Sequence, residues 1–305
     1  MEKVLIIVGM MVLFPISATC QERSMNEGRS PQWYEDTLKV LMHNSITLPH
    51  DFQKLDANIN FKKYLLEALE QEGSFNYPFD SLKYMSKLYS PDKRFRIFTW
   101  YIELSNGTYE NYGILQVFNE KKKIYDLIIL NDGKKDIQEP EYQVLKADNW
   151  YGAVYYSIIY HKQRGREAYT LLGYDGNNKM ARRKVIEVMR LNSQGLPTFG
   201  QSMFRYEKNK HKRIIFEYSA RVSMSLKYEK QNVEQGKKRR EMIVFDRLAP
   251  MNESLKGQYM FYMPEVNAFD GFVFEDGKWK FVKDVDARNP KTKSRTKPIR
   301  WSKPE

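Results

Sequence analysis

The hydrophobic period changes from helical to alternating at the segment FRIFTWYIEL (95–104), and this change constrains the fold more than any other feature. Within the segment Phe98, Trp100 and Ile102 fall at every second position, and Arg96 points to the same face. That period is typical of a β-strand with one buried face. The sequence therefore predicts that the β-rich part of the chain begins here.

Short runs of the same kind continue almost to the end of the chain. Asn-Gly and Asp-Gly pairs separate several of them, and these pairs accept the positive φ angles of tight hairpin turns. Because no long helical pattern intervenes, we expect a mainly β fold with antiparallel sheets. A sandwich, an irregular barrel and a small propeller-like arrangement all fit the spacing. The runs are 112–118, 124–130, 153–161, 167–174, 184–191, 213–219, 223–229, 241–248, 258–263, 271–275 and 278–283.

Ahead of the strands, the apolar residues follow the spacing of helices and predict an N-terminal α-helical layer. A first helix begins after Pro31, and a second spans 51–72, just before Gly73, a residue typical of helix C-termini. A short third helix is predicted over 82–88. The expected inward positions are Trp33, Leu38, Leu41 and Met42, then Phe52, Leu55, Ile59, Leu66 and Leu69, and finally Leu82, Met85 and Leu88.

The first 20 residues have the order of a secretory signal peptide. Lys3 precedes an apolar run over 4–14, and small residues follow it before Cys20. The run is shorter than the roughly 20 residues that span a bilayer. We therefore predict an exported protein, periplasmic or associated with the cell envelope.

Cys20 is the sole cysteine, and two fates remain open for it. As a lipoprotein cysteine it would become the lipidated first residue and anchor the protein to a membrane. Cleavage after Cys20 would instead leave Gln21 as the N-terminus of a soluble exported chain, and Thr19 beside it favours this second fate.

The chain is thus divided into five parts by composition and period. A signal peptide over 1–20 is followed by a flexible lead-in over 21–30, a helical region over 31–90 and an antiparallel β domain over 91–287, with a basic, disordered tail over 288–305.

Several segments resemble a family of exported, functionally uncharacterised proteins of Bacteroidota. They are YTLLGYDGNN (169–178), RKVIEVM (183–189), IVFDRLAP (243–250), FDGFVFEDGKW (269–279) and DVDAR (284–288). The resemblance covers roughly half of the chain. It implies export, and it brings no established activity and no catalytic residues.

Three acidic residues lie inside strand-like runs and are weak candidates for catalysis. Glu187, Glu217 and Asp246 each have apolar neighbours in the sequence. Two such carboxylates in one cleft could support glycoside hydrolysis. The simpler interpretation is that each faces solvent or pairs with an arginine or lysine on the next strand.

Motifs for other chemistries are absent from the sequence. There is no Gly-rich phosphate loop, no GxSxG, no HExxH and no CxxC, and the four histidines are scattered. We therefore expect neither a metal site nor a cofactor.

Positive charge is concentrated in the C-terminal tail. The net charge is +12, and the last 18 residues carry seven cationic side chains against one acidic one, which is half of that excess. These candidate anion-binding residues are Arg288, Lys291, Lys293, Arg295, Lys297, Arg300 and Lys303. Further basic clusters at 182–184, 208–213 and 237–240 are expected in loops. Such clusters attract polyanions.

The sequence therefore favours a non-enzymatic, exported binding or structural protein at the cell envelope. Its tail and basic loops would contact an anionic component, such as a lipid headgroup, a lipopolysaccharide phosphate or an acidic glycan. No nucleic acid is expected as partner outside the cytosol, and nothing indicates the oligomeric state. The alternative is an exported glycan-acting hydrolase that uses the strand carboxylates.

Overall fold

The computed structural model describes residues 29–163, 165–206, 211–234 and 237–286. Within these ranges two α-helices precede the strands, which form three sheets. All strand pairs are antiparallel except the short pair of Phe204–Arg205 with Trp279–Lys280, and none of these sheets closes into a barrel. The predicted mainly β class with an N-terminal helical layer is confirmed.

The helices are α1 (Pro31–Thr47) and α2 (Asp51–Glu70). At the start of α1 the Ser30 hydroxyl accepts a hydrogen bond from the backbone N–H of Trp33 at 3.1 Å. Pro31 suits the first helical position, which has no N–H to satisfy. The dipeptide Leu48-Pro49 ends α1, because the residue before a proline is driven out of the helical conformation.

The inward face of α2 differs from the one predicted. Phe61 packs edge-on against Trp100 at 5.3 Å, and this contact turns the face through Phe61 toward the first sheet. Phe52, Ile59 and Trp33, which were expected inside, are exposed instead. The buried apolar residues of the two helices are Tyr34, Leu38, Met42, Ala57, Phe61, Leu65, Ala68 and Leu69.

Sheet 1 is a four-stranded antiparallel meander in chain order. Its strands are β1 (Ser86–Tyr89), β2 (Phe95–Glu103), β3 (Tyr109–Asn119) and β4 (Ile124–Asn131).

The third helix predicted over 82–88 is wrong. Residues 86–89 form β1 and pair with β2, from Ser86 opposite Thr99 to Tyr89 opposite Arg96. The hydrogen bonds that the edge of β2 offers outweigh the weak helical spacing of this short segment.

Sheet 2 is built on the long strand β8. On one side β8 pairs with β7 and β7 with β6, and on the other side β9 and β11 pair with successive parts of β8. The strands are β5 (Leu145–Lys146), β6 (Val154–Gln163), β7 (Arg166–Asp175), β8 (Ala181–Leu191), β9 (Pro197–Phe199) and β11 (Arg213–Ser219).

Sheet 3 has the order β10-β15-β14-β13-β12. Asp276 and Gly277, both at positive φ, close the β14–β15 hairpin as the sequence predicted. The strands are β10 (Phe204–Arg205), β12 (Leu226–Glu234), β13 (Lys237–Pro250), β14 (Tyr262–Glu275) and β15 (Lys278–Val282).

Apart from β10, the layers are stacked in chain order, and the three largest apolar cores each join two consecutive layers. A fourth, smaller cluster, which includes Met242 and Val273, lies within sheet 3 and the segment that follows it. The helix core, between the helices and sheet 1, includes Leu38, Phe61, Phe98 and Trp100. The central core, between sheets 1 and 2, includes Phe95, Leu115, Tyr155, Leu171 and Val185. The outer core, between sheets 2 and 3, includes Leu172, Ile186, Ile243, Phe272 and Trp279.

A bulge between Tyr155 and Ser157 shifts the alternation of strand β6 by one residue. Tyr155 before the bulge lies in the central core, and Ile158 and Tyr160 after it pack against the same core. Ile159, between those two residues, lies in the outer core. Strand β6 therefore contacts both neighbouring layers, as β7 does without a bulge.

Arg96 is fully buried on the helix side of sheet 1. Its guanidinium donates hydrogen bonds to the carbonyl oxygens of Tyr77 at 2.6 Å and Ser74 at 2.8 Å, and to the Gln116 side chain at 3.1 Å. It also lies over the Phe98 ring at 4.5 Å. No carboxylate within the described residues forms an ion pair with it, and burial lowers its pKa. Arg96 therefore ties the segment after α2 to sheet 1 through neutral acceptors.

Replacing Arg96 by methionine should destabilise the fold by about 2–4 kcal/mol, because buried carbonyl oxygens would lose their donors. The measurement is the free energy of unfolding by urea. Lys121→Met, at an exposed position, is the control and should change stability by less than about 0.5 kcal/mol. Equal stability of Arg96→Met and the control would contradict the role given to Arg96.

Candidate functional site

The candidate carboxylates Glu187 and Glu217 lie on the paired strands β8 and β11. The register places Arg213 directly opposite Glu187 and Arg183 directly opposite Glu217. Both glutamates therefore form the cross-strand pairs with arginine that the simpler interpretation of the sequence described.

Glu187 is enclosed between sheets 1 and 2 with no exposed surface. Its carboxylate accepts a hydrogen bond from Arg213 Nε at 2.7 Å and another from the Tyr155 hydroxyl. Trp150 Nε1 donates to that hydroxyl at 2.7 Å. Burial raises the pKa of Tyr155 far above its ordinary value, so the phenol remains a neutral donor. This closed network leaves no path by which a substrate could reach Glu187.

Glu217 lies at one end of a chain of alternating charges. It accepts a hydrogen bond from Arg183 Nε at 2.6 Å, and Arg183 lies 3.8 Å from the buried carboxylate of Asp175. Lys134 Nζ binds the other oxygen of Asp175 at 2.6 Å.

This chain borders a cavity of about 490 Å³, which we call the tyrosine cleft. Its principal lining residues are Lys134, Tyr151, Arg183, Glu217, Tyr259 and Tyr262.

Asp246 is held by hydrogen bonds to the backbone of Ser225. Its side chain accepts a hydrogen bond from the Ser225 N–H at 2.7 Å, and its own N–H donates to the Ser225 carbonyl at 3.1 Å. Of the three candidate carboxylates, Glu217 alone lines one of the cavities described here.

The basic cluster at 182–184 lies on strand β8, not in a loop as predicted. Arg182 donates to the Gly176 carbonyl at 2.9 Å, and Lys184 lies over the rings of Tyr156 at 4.6 Å and Tyr174 at 5.4 Å. The cluster at 237–240 likewise begins strand β13, and its Arg240 pairs with Glu275. Much of this charge is therefore satisfied within the fold.

A different set of cations meets at a cavity of about 740 Å³, which we call the basic pocket. The pocket opens where the ends of β6 and β8 approach the β14–β15 hairpin. Its principal lining residues are His161, Arg166, Arg190, Lys212, Asp276 and Lys278. The one carboxylate among them, Asp276, binds Lys280 at 2.8 Å.

The charges of the basic pocket are poorly neutralised. Among the described residues, Arg166, Arg190 and Lys212 have no ion-pair partner, and the Nε of Arg190 is buried without an acceptor. Burial, together with the charge of Arg166, lowers the pKa of Arg190. These three cations, beside a carboxylate that already binds Lys280, create a positive potential that an anion would stabilise.

Of the cations in the basic pocket, the sequence pattern singled out Lys212 alone, as part of the basic cluster at 208–213. Residues 208–210 of that cluster lie outside the described residues, and Arg213 pairs with Glu187. The other cations of the pocket come from separate segments. One signal was available: in the β7–β8 pair the register of Tyr169 with Met189 brings Arg190 to the start of β7, close to Arg166. The positions of Lys212 and Lys278 depend on how sheet 3 packs against sheet 2.

His161 forms the apolar wall of the basic pocket. Its ring stacks on Phe274 at 3.8 Å and meets Trp279 edge-on at 5.1 Å. Burial lowers the pKa of His161 from 6.5 to about 4, so the imidazole is neutral near pH 7.

Cys20 and the candidate anion-binding residues of the tail, Arg288 to Lys303, lie outside the described residues. In the parts of the chain that the structure describes, no group of three or more His, Cys, Asp or Glu side chains is arranged to hold a metal ion. No helix within those parts is long and apolar enough to cross a membrane.

No family model, curated protein or solved structure matches this chain.

Glu187 and Arg213 should be strongly coupled in a double-mutant cycle. Glu187→Met or Arg213→Met alone should cost about 3–5 kcal/mol of unfolding free energy, because each leaves a buried charge without its partner. The double variant Glu187→Met/Arg213→Met should cost less than the sum of the two single changes. Additive losses, measured by urea unfolding, would show that the pair does not act as a unit.

The burial of His161 should make the folded protein less stable in acid. In the unfolded chain this histidine binds a proton below its ordinary pKa of 6.5, whereas in the fold it does so only near pH 4. Its contribution to stability is therefore complete above pH 6.5 and is lost as the pH falls toward 4.

The variant His161→Phe keeps an aromatic ring against Phe274 but cannot titrate. Between pH 7 and pH 4.5 it should lose about 2–3 kcal/mol less unfolding free energy than the wild type. If the stability of the two proteins changed identically with pH, the lowered pKa of His161 in the fold would be contradicted.

Proposed function

We propose that this chain is an exported, envelope-associated binding protein that holds an anionic envelope component through its basic pocket and its basic tail. The ligand chemistry is a phosphate or carboxylate group, carried by a lipid headgroup, a lipopolysaccharide or an acidic glycan. The resemblance to exported proteins of Bacteroidota and the signal-peptide pattern support the compartment.

The observation that carries the proposal is the charge imbalance of the basic pocket. Four cationic side chains and one carboxylate are among its lining residues, and that carboxylate is already paired with Lys280. Gln163, Gln201 and Ser202 also line the pocket and can donate hydrogen bonds to anionic oxygens. The cavity volume lies within the range of small-ligand sites, roughly 300–1,000 Å³.

The tail adds a second positive element. Its seven cationic side chains would strengthen attraction to an anionic surface without fixing which group is bound. The pocket would then select the anionic group, since its cations lie at fixed positions around a cavity.

The hydrolase alternative receives less support. Glu187 is sealed between sheets, and Asp246 binds a backbone N–H. Glu217 shares the tyrosine cleft with Glu141, but its carboxylate is engaged by Arg183. A glycosidase of the usual kind needs two carboxyl groups that reach the same sugar bond.

The test compares binding of residues 21–305 to three probes: vesicles containing phosphatidylglycerol, lipopolysaccharide, and polygalacturonate. Phosphatidylcholine vesicles and an uncharged glucan are the neutral references. We expect binding to at least one anionic probe that weakens as salt rises. The probe that binds identifies the source of the anionic group.

Two variants separate the pocket from the tail. Arg166→Gln/Lys212→Gln should weaken binding about three- to tenfold, since each lost charge contact is worth roughly 0.3–0.7 kcal/mol. Lys83→Gln/Lys121→Gln removes the same charge at exposed positions away from the pocket and should bind like the wild type. A chain ending at Ala287 should bind more weakly and with a smaller salt dependence.

Equal binding by the two double variants would contradict the role of the pocket. Failure of the wild type to bind any of the three anionic probes would overturn the proposed function.

A further inference from the structure

The tyrosine cleft is separate from the basic pocket and has a different chemical character. Its lining comes chiefly from the connections on either side of β5, the paired strands β8 and β11, and the turn that precedes β14. Lys134 lies before β5 and Tyr151 after it, Arg183 and Glu217 lie on the paired strands, and Tyr259 lies in the turn.

Aromatic rings form the floor and the mouth of the cleft. The ring of Tyr151 is buried at the floor, where Lys134 lies 5.8 Å and Arg213 5.3 Å from its centre. At the mouth Tyr259 is 52% exposed and lies 5.0 Å from the ring of Tyr262. An exposed tyrosine at the rim of a cavity offers a flat apolar face with a polar edge.

The lining side chains of the cleft are balanced in charge, with the cations Lys134 and Arg183 against the carboxylates Glu141 and Glu217. Behind the lining the buried Asp175 joins Lys134 and Arg183, so that both cations have a carboxylate partner. A ligand here meets donors and acceptors side by side without the net positive charge of the basic pocket. An anion would therefore gain little, because each cation already has a carboxylate partner.

Neutral sugars match this combination of groups. Each sugar hydroxyl both donates and accepts, so it can bridge a carboxylate oxygen and the neighbouring guanidinium N–H of an ion pair. The flat C–H face of the pyranose ring can pack on an aromatic ring. The cavity of about 490 Å³ combines apolar and aromatic side chains with charged ones, and its volume lies within the range of small-ligand sites.

We infer that the tyrosine cleft binds a neutral saccharide, with the ring of Tyr259 as the stacking surface and the Arg183–Glu217 pair as the hydroxyl-binding group. The saccharide site is additional to the proposed anion-binding pocket, and the inference does not depend on anion binding. The protein would then contact a glycan at one cavity and an anionic group at another.

The test is affinity electrophoresis of residues 21–305 in native gels that contain starch, xyloglucan, mixed-linkage β-glucan or galactomannan. The wild type should be retarded by at least one of the four polysaccharides. Tyr259→Ala should weaken that retardation roughly tenfold, since it removes an aromatic contact from the ligand. Glu217→Gln should weaken it as well, because it removes the charge of the acceptor.

Tyr84→Ala is the matched control, because Tyr84 is 57% exposed and lies outside the cleft. It should migrate like the wild type in every gel. The pair Arg166→Gln/Lys212→Gln should also keep its retardation, which makes failure of the saccharide site distinguishable from failure of the anion site.

Circular dichroism of each variant establishes that it is folded before the gels are compared. Retardation of the wild type by none of the four polysaccharides would overturn the inference. So would equal retardation of Tyr259→Ala and Tyr84→Ala.

Discussion

The buried ion pair of Glu187 and Arg213 fixes how strands β8 and β11 meet, and much of the rest of the molecule depends on that register. A slip of one residue would place Arg213 opposite Ile186 or Val188, without its carboxylate partner, in a core that excludes water. The same register sets Arg183 against Glu217 and so forms the wall of the tyrosine cleft. The Arg213 guanidinium also lies 5.3 Å from the ring of Tyr151, the floor of that cleft. A structural pair in the core thus positions a polar surface at the edge of the same two strands.

The cations of this protein fall into two groups that the sequence does not distinguish. Arg96 and Arg213 are fully buried and hold layers together, the first through carbonyl oxygens and the second through a carboxylate. Arg166 and Lys212 reach the surface and have no ion-pair partner within the described ranges. A count of positive charge therefore overstates the part that is free to attract a ligand from solution.

The local sequence pattern predicted many of the strands and turns. Features that depend on tertiary packing could not be predicted from it. The alternation in FRIFTWYIEL identified β2 and the inward direction of Arg96, because strand period depends only on neighbouring residues. The Asp276-Gly277 hairpin followed from backbone preference alone. The helical spacing over 82–88 was misleading, since β2 offered that segment a hydrogen-bonding edge. The basic pocket could not be predicted, because sequence gives no account of how sheet 3 sits on sheet 2.

The stacking order of the layers has a consequence for the way the protein folds. The helix, central and outer cores each join layers that are consecutive in the chain, yet residues that meet in them are often far apart in sequence: Trp279 donates a hydrogen bond to Thr170, 109 positions earlier. Long loops must close before such contacts form, and their closure costs entropy and slows folding. Strands β6, β7 and β8 all contribute to both the central and the outer core. Sheet 2 therefore has both of its faces covered only after the chain has been made as far as β15.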